Sequence, residues 1–248
     1  MKHYFWLYLV LGLIACPPAA EAQDNVRAAV AAGYIHVMQE IAAAYELKTG
    51  VKVETAFSSS GNLYNQIVNG APYDIYLSAD QDRPNRLHRS HLAIQPFVYA
   101  RGELILWSAK KNFCRPSNWQ DAALAGHVKR IAIINPAVGP YGEAAMAAIK
   151  KMSDKDTRTL TEKLILGQNM NQAFQYATSE AVEAAFVSLS FALMEEGAKG
   201  CFYRIPQAPL VIHGACVLTN KNSALAEQFA AFLISEKALK IRQKYGYQ

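Results

Sequence analysis

With 248 residues, 52% hydrophobic, 18% charged and a net charge of +5, the chain is far from the composition of a disordered or fibrous protein. The length allows one large domain or two lobes of roughly 100 residues each. Its basic residues, notably Arg83, Arg86, Arg89 and the tail from Lys237 to Lys244, are mixed with acidic ones and not interleaved with aromatics, which is not the pattern of a nucleic-acid binder.

The first 22 residues read as a signal peptide. Lys2 supplies a basic start, Phe5 to Ala15 is almost unbroken apolar sequence, and Pro17-Pro18 breaks it before the small-x-small site Ala20-Glu21-Ala22. An apolar run of about 11 residues is too short for a permanent membrane anchor, which takes about 20. Cleavage is expected after Ala22. Leu13-Ile14-Ala15-Cys16 also has the form of a lipobox, in which Cys16 would carry a lipid anchor. Either route leads out of the cytoplasm, to a periplasmic location. Cys114, Cys201 and Cys216 remain after cleavage, without CxxC spacing. An oxidising compartment allows one disulfide and one spare thiol, while three buried small residues are an equal reading.

In chain order, Val26 to Ala31 is a predicted buried strand, turned by Ala32-Gly33 into a helix from Ile35 to Leu47. Strand Val51–Phe57, helix Leu63–Val68 and strand Asp74–Leu77 follow. Asp80 then caps a polar helix around Arg83–His91. Phe97 to Ser108 reads as extended and buried. Next come a short helix at Asn118–Ala125, strand Arg130–Ile134, helix Glu143–Lys151, strand Leu164–Leu166, helix Asn171–Thr178 and strand Ala184–Leu189. Ile205 to Leu218 is extended, and two helices, Ala224–Ile234 and Glu236–Lys244, close the chain. Strands and helices alternate almost throughout, which predicts α/β architecture with mainly parallel sheets flanked by helices. Extended stretches near Ala100–Ser108 and Ile205–Cys216 are where the chain would cross between two lobes.

Four junctions share one geometry, a strand running into a turn and a helix N-terminus: Ala32-Gly33, Ser58 to Gly61, Val138 to Gly142, and Asn169-Met170. A helix N-terminus leaves backbone N–H groups unpaired at the positive end of its dipole, a ready seat for an oxyanion. Each turn alone is an ordinary cap. Together, at the carboxyl ends of strands in facing lobes, they would surround one small anion. Catalysis has weaker support. Ser58, Ser59 and Ser60 lie in no G-x-S-x-G elbow or S-x-x-K arrangement, and no metalloprotease, Walker or dinucleotide motif is present. Asp74 and Asp80 read as structural residues, and His88-x-x-His91 as a solvated helix face.

Ser58-Ser59-Ser60-Gly61, Gln66-Ile67, Gly70-Ala71-Pro72-Tyr73-Asp74 and Ser78-Ala79-Asp80 resemble the signature of periplasmic molybdate-binding proteins of ABC importers. The likeness continues through Tyr99-Ala100-Arg101-Gly102, Leu106-Trp107-Ser108, Ile133–Pro136 with Pro140-Tyr141-Gly142, Gln172-Ala173 and Phe186–Leu189, and reaches Tyr245-Gly246-Tyr247. It implies a two-lobed type II periplasmic-binding-protein fold with a cleft between lobes, here 23–100 plus 212–248 and 101–211. It also implies a molybdate or tungstate dianion held through its oxygens by hydrogen bonds, with no protein–metal ligand, no further cofactor, and delivery by a monomer to an inner-membrane permease.

Carried over position by position, the resemblance places the ligand at Ser60 with Ser59 beside it, at Tyr141, and at the backbone N–H of Met170. A further tyrosine of some relatives falls near Ser188. In the first loop Ala32-Gly33 stands where relatives have Ser or Thr-Asn, so only backbone donors remain, with Tyr34 or His36 as candidate compensation. Each lost bond to a charged ligand is worth roughly 1.5–3 kcal/mol, about one to two decades of affinity. Two alternatives follow: a binding protein retuned to sulfate, phosphate or a small organic acid, or an exported hydrolase using one serine of the triplet.

Overall fold

The computed structural model describes residues 25–94, 96–219 and 223–248; the predicted signal peptide and Cys16 lie outside these residues. The first strand, β1 (Asn25–Ala31), is buried along Ala28–Ala31 because it has a parallel neighbour on each side. Its sequence NVRAAVA is accordingly apolar almost without alternation. Helix α1 (Ile35–Thr49) follows, ended by Gly50 in the left-handed region at φ 75°, whose N–H bonds Glu46 O. Then come β2 (Lys52–Ser58), α2 (Ser60–Val68), β3 (Ile75–Leu77), α3 (Asp82–Arg89) and β4 (Phe97–Gly102).

At Glu103 the chain passes to a second sheet. This part contains β5 (Leu104–Ser108), α4 (Trp119–Leu124), β6 (Ile131–Ile134), α5 (Pro140–Ile149), α6 (Asp154–Thr161), β7 (Leu164–Gly167), α7 (Met170–Thr178), β8 (Ala184–Ser188), the single turn α8 (Leu189–Ala192) and β9 (Cys201–Arg204). The chain then returns along β10 (Val211–Val217) and closes with α9 (Ser223–Leu233) and α10 (Glu236–Lys244).

The two sheets have orders β2-β1-β3-β10-β4 and β7-β6-β8-β5-β9. Each keeps a parallel trio (β2-β1-β3 and β7-β6-β8) and adds two antiparallel strands. The expected parallel arrangement therefore describes three strands in each sheet. The other two join by antiparallel pairing, β10 and β5 running against the trio and β4 and β9 along with it, because these strands carry the chain between lobes, where no crossover helix intervenes. In the first lobe one core surrounds Val30, Met38, Ile41, Leu77 and Phe229 and a smaller one Leu63, Tyr76, Leu87 and Cys216; the core of the second lobe surrounds Leu106, Trp107, Ile133 and Phe186.

Three elements carry little apolar signal. Helix α6 buries only Leu160 and is specified by its cap: Ser153 Oγ accepts from Asp156 N at 3.2 Å, with Asp154 and Asp156 in the first turn. Strand β9 pairs with β5 and is tied to the 3-10 turn Lys111–Cys114 by the disulfide Cys114–Cys201. The left-over thiol, Cys216, is buried in β10, and burial pushes its pKa up to about 12. Turn α8 is only four residues long.

Both acidic residues near the second loop are structural. Asp74, fully buried, accepts from Arg27 N at 2.7 Å and pairs with the Arg27 guanidinium through both oxygens, at 3.1 and 3.0 Å. Asp80 accepts from Arg83 N at 2.8 Å and pairs with its side chain. Removing Asp74 strands a partly buried guanidinium at the start of β1. Asp74→Ala should therefore cost about 2–4 kcal/mol, read as a lower urea midpoint with an unchanged slope.

Candidate functional site

Four chain turns meet where the two lobes touch. In the first lobe β2 ends at Ser58 and Ser59 caps α2, its Oγ accepting from Asn62 N at 3.2 Å. Ser60, the first helical residue, is buried and held on two sides. Its Oγ accepts from Ala79 N at 3.0 Å, and its carbonyl accepts from Tyr76 Oη at 2.7 Å. Among the described residues nothing accepts the Ser60 O–H, and its N–H, at the first position of the helix, has no intrahelical partner. In the second lobe α5 opens on Pro140-Tyr141, and Asn169 caps α7 by accepting from Gln172 N at 3.0 Å, leaving Met170 first. Tyr141 and Met170 are both buried.

Contacts across the lobes bring these turns together. Gly61 N donates to Val138 O at 2.9 Å, joining the Ser59-Ser60 turn to the turn before Tyr141. The first loop, Ala32–Tyr34, is a 3-10 turn. A Cβ placed on Gly33 would lie 3.6 Å from the Tyr141 ring and 3.9 Å from the Met170 side chain. All six residues expected at the site, Ala32, Gly33, Ser59, Ser60, Tyr141 and Met170, thus lie on turns that face one another.

The hydroxyl of Tyr141 has a different neighbour. It sits 3.1 Å from His213 Nε2, and the other ring nitrogen, Nδ1, is 3.1 Å from Tyr99 Oη. Tyr99 Oη also donates to Ser78 O at 3.2 Å. One proton arrangement pairs every atom: Tyr99 donates to Ser78 O, His213 Nδ1–H donates to Tyr99, and Tyr141 donates to Nε2. Burial holds the His213 pKa down, at about 3, so the ring is neutral and this tautomer is self-consistent. What Tyr141 leaves for the space between the turns is its backbone N–H. Gly102 makes room for the arrangement, since a Cβ there would lie 2.0 Å from Tyr141 Oη.

A second buried cluster holds the first loop. Gly33 O accepts from Tyr247 Oη at 2.6 Å and from Ser190 Oγ at 3.2 Å, and Ser188 Oγ lies 3.0 Å from Tyr247 Oη. Ser188 therefore has a tyrosine hydroxyl beside it, supplied by the carboxyl-terminal tail. Tyr34 is buried edge-on against Tyr99 and Tyr247, and His36 is half-buried against Phe191, its pKa lowered by burial. His213 and Ser190 carry no motif, and Tyr99 and Tyr247 fall in stretches of the family likeness to which no ligand role is assigned. The available signal for His213 was a polar residue among inward-facing apolar ones in Val211–Val217, and β10 shifts register between His213 and Gly214.

The sequence profile of bacterial extracellular solute-binding proteins matches residues 26–248. The chain belongs to that family. It is 36% identical to the molybdate-binding protein ModA of Rhodobacter capsulatus, covering 97% of this chain and 93% of that one. Identity to ModA of Azotobacter vinelandii is 34%, over 95% and 93% of the two chains. The solved Azotobacter vinelandii periplasmic molybdate-binding protein superposes with a TM-score of 0.83, covering 90% of this chain and 98% of the other at 29% identity. The fold is thus the two-lobed type II arrangement, and these relatives are binding proteins rather than enzymes.

The buried imidazole makes stability depend on pH. Its folded pKa near 3 lies below an unfolded value of about 6.5, so its contribution is complete above pH 6.5 and shrinks as pH falls toward 3. Between pH 7 and pH 5 the native protein should lose about 2 kcal/mol through this group. Urea midpoints at the two pH values should show that loss in the wild type and a flatter response in His213→Gln.

Proposed function

We propose that this protein is the extracytoplasmic binding component of an ABC importer for molybdate or tungstate, capturing the dianion between its lobes and passing it to a membrane permease. The observation that carries the reading is the meeting of four helix or 3-10 N-termini at one place, with the Ser60 O–H left without a protein acceptor among the described residues. Such a site offers N–H and O–H donors and partial positive charge, which suits a small ionised oxyanion. Ser60 is the side-chain donor in this reading, and Ser59, Tyr141, Met170 and Ala32-Gly33 contribute backbone N–H groups.

Capture follows from hinge closure. Donors from the lobe 23–100 plus 212–248 and from the lobe 101–211 are brought to one anion only when the lobes meet. The names of the ModA relatives support molybdate, and the periplasmic relative supports export, by cleavage after Ala22 or lipidation at Cys16. One observation favours a second reading, selectivity for another oxyanion: Ala32-Gly33 supplies no side-chain donor.

Calorimetric titration with molybdate, tungstate, sulfate and phosphate decides between them. Heat with molybdate or tungstate at low Kd is expected; heat with sulfate or phosphate alone would reassign the ligand. Ser60→Ala should weaken binding about 10- to 100-fold, the value of one hydrogen bond to a charged ligand. An unchanged Kd would remove Ser60 from the site.

A further inference from the structure

Three hydroxyls gather around Gly33 O, and the Tyr141 hydroxyl adjoins two of them, those of Ser188 and Tyr247. Tyr247 Oη donates to Gly33 O at 2.6 Å, and the single Ser190 hydroxyl proton faces both that oxygen at 3.2 Å and Ser188 Oγ at 3.1 Å. Ser188 Oγ, 3.0 Å from Tyr247 Oη, is then the donor to the phenol oxygen, and it accepts from Ser190 N at 3.4 Å. All three residues are buried. Ser188 ends β8 and Ser190 lies in α8, both in the second lobe, while Gly33 and Tyr247 belong to the first. The tail is anchored in turn by Gln248, which exchanges two backbone bonds with Arg101 in β4, at 2.9 and 3.0 Å.

This set is a bond between lobes that uses no ligand atom. It also fixes the first loop of the site. In a trans peptide the C=O and the following N–H point in opposite directions, so donors on Gly33 O hold the Tyr34 N–H back into the 3-10 turn, whose open end carries the N–H groups of Ala32 and Gly33. The loop without side-chain donors is therefore the loop whose peptide is braced from behind.

We infer, on the oxyanion-binding reading above, that Ser188, Ser190 and Tyr247 are positioning residues that set anion affinity by clasping the lobes over Gly33 without touching the anion. Ala32-Gly33 supplies no side-chain donor to an anion. Here the corresponding free energy comes from lobe closure: parting the lobes takes the Ser190 hydroxyl from Gly33 O and the Ser188 hydroxyl from Tyr247, which opposes opening. Two consequences follow: the clasp changes how fast the anion leaves, and it does not change which anion is preferred.

The test uses Tyr247→Phe, which keeps the ring against Tyr34 and His213, together with Ser190→Ala and the double variant, titrated with molybdate and with tungstate. Each single change should raise both Kd values about fivefold through faster dissociation. The double should exceed the product of the singles, because only then is Gly33 O left without a donor. The ratio of the two Kd values should stay at its wild-type value throughout. Wild-type Kd values in the double variant would overturn the inference. So would a shift in the ratio that tracks the loss, since that marks hydroxyls in contact with the anion. Should the double fail to fold, Tyr247→Phe alone carries the same readouts. Failure of the wild type to bind either anion would count against the functional reading. Small-angle scattering of the ligand-free proteins then judges the clasp by itself: the double variant should have the larger radius of gyration, and equal radii would refute it.

Discussion

A neutral imidazole joining one phenol from each lobe is the contact on which the arrangement at the interface depends. His213 sits in β10, Tyr99 comes from β4 of the same sheet, and Tyr141 comes from the first turn of a helix in the other lobe. Burial keeps the ring uncharged, and a neutral ring has one donor and one acceptor, which match these two neighbours. A charged ring would have two donors and no acceptor, and the Tyr141 hydroxyl would lose its partner. Because Tyr141 also opens helix α5, the orientation of that helix N-terminus relative to the first lobe rests on the same hydrogen bond.

The second loop is tied into the same network. Tyr99 donates to Ser78 O, Tyr76 donates to Ser60 O, and Ala79 N donates to Ser60 Oγ. The first loop is held through Gly33 O, by hydroxyls that also adjoin Tyr141. The first and second loops are thus braced from behind by buried hydroxyls. That division matters for an anion site. Donors aimed at a ligand work best when they need not reorganise to meet it, and a dry surrounding strengthens each bond.

Much of this was readable along the chain. Apolar runs marked the strands of both parallel trios, and the Ser, Gly and Asn turns marked the helix starts that converge. The bounds of α10 and the start of α1 matched the periodicity, and Gly50 ended α1 as a left-handed cap. Helix α6 escaped because it buries one residue and is held by its cap. Strand β9 escaped because its burial comes from β5 and a disulfide 87 residues long in sequence separation. The pairing of Cys114 with Cys201 was left open by spacing and is a matter of how the 3-10 turn packs on that edge strand. His213 and Tyr247 were visible as residues but not as partners, since 72 positions separate Tyr141 from His213 and 214 separate Gly33 from Tyr247. Which atom a buried hydroxyl faces is a property of the closed interface and has no local trace in the sequence.

The central claim is that helix N-termini from both lobes surround one oxyanion. A crystal structure of the protein grown with molybdate, with data collected at the molybdenum absorption edge, tests it most directly. The account predicts a single anomalous peak between the lobes, with its oxygens in hydrogen-bond range of Ser60 Oγ and of the N–H groups of Tyr141 and Met170, and with the Tyr141 hydroxyl still on His213. A peak beside surface lysines or arginines, or an anion coordinated by the Tyr141 hydroxyl in place of His213, would contradict it.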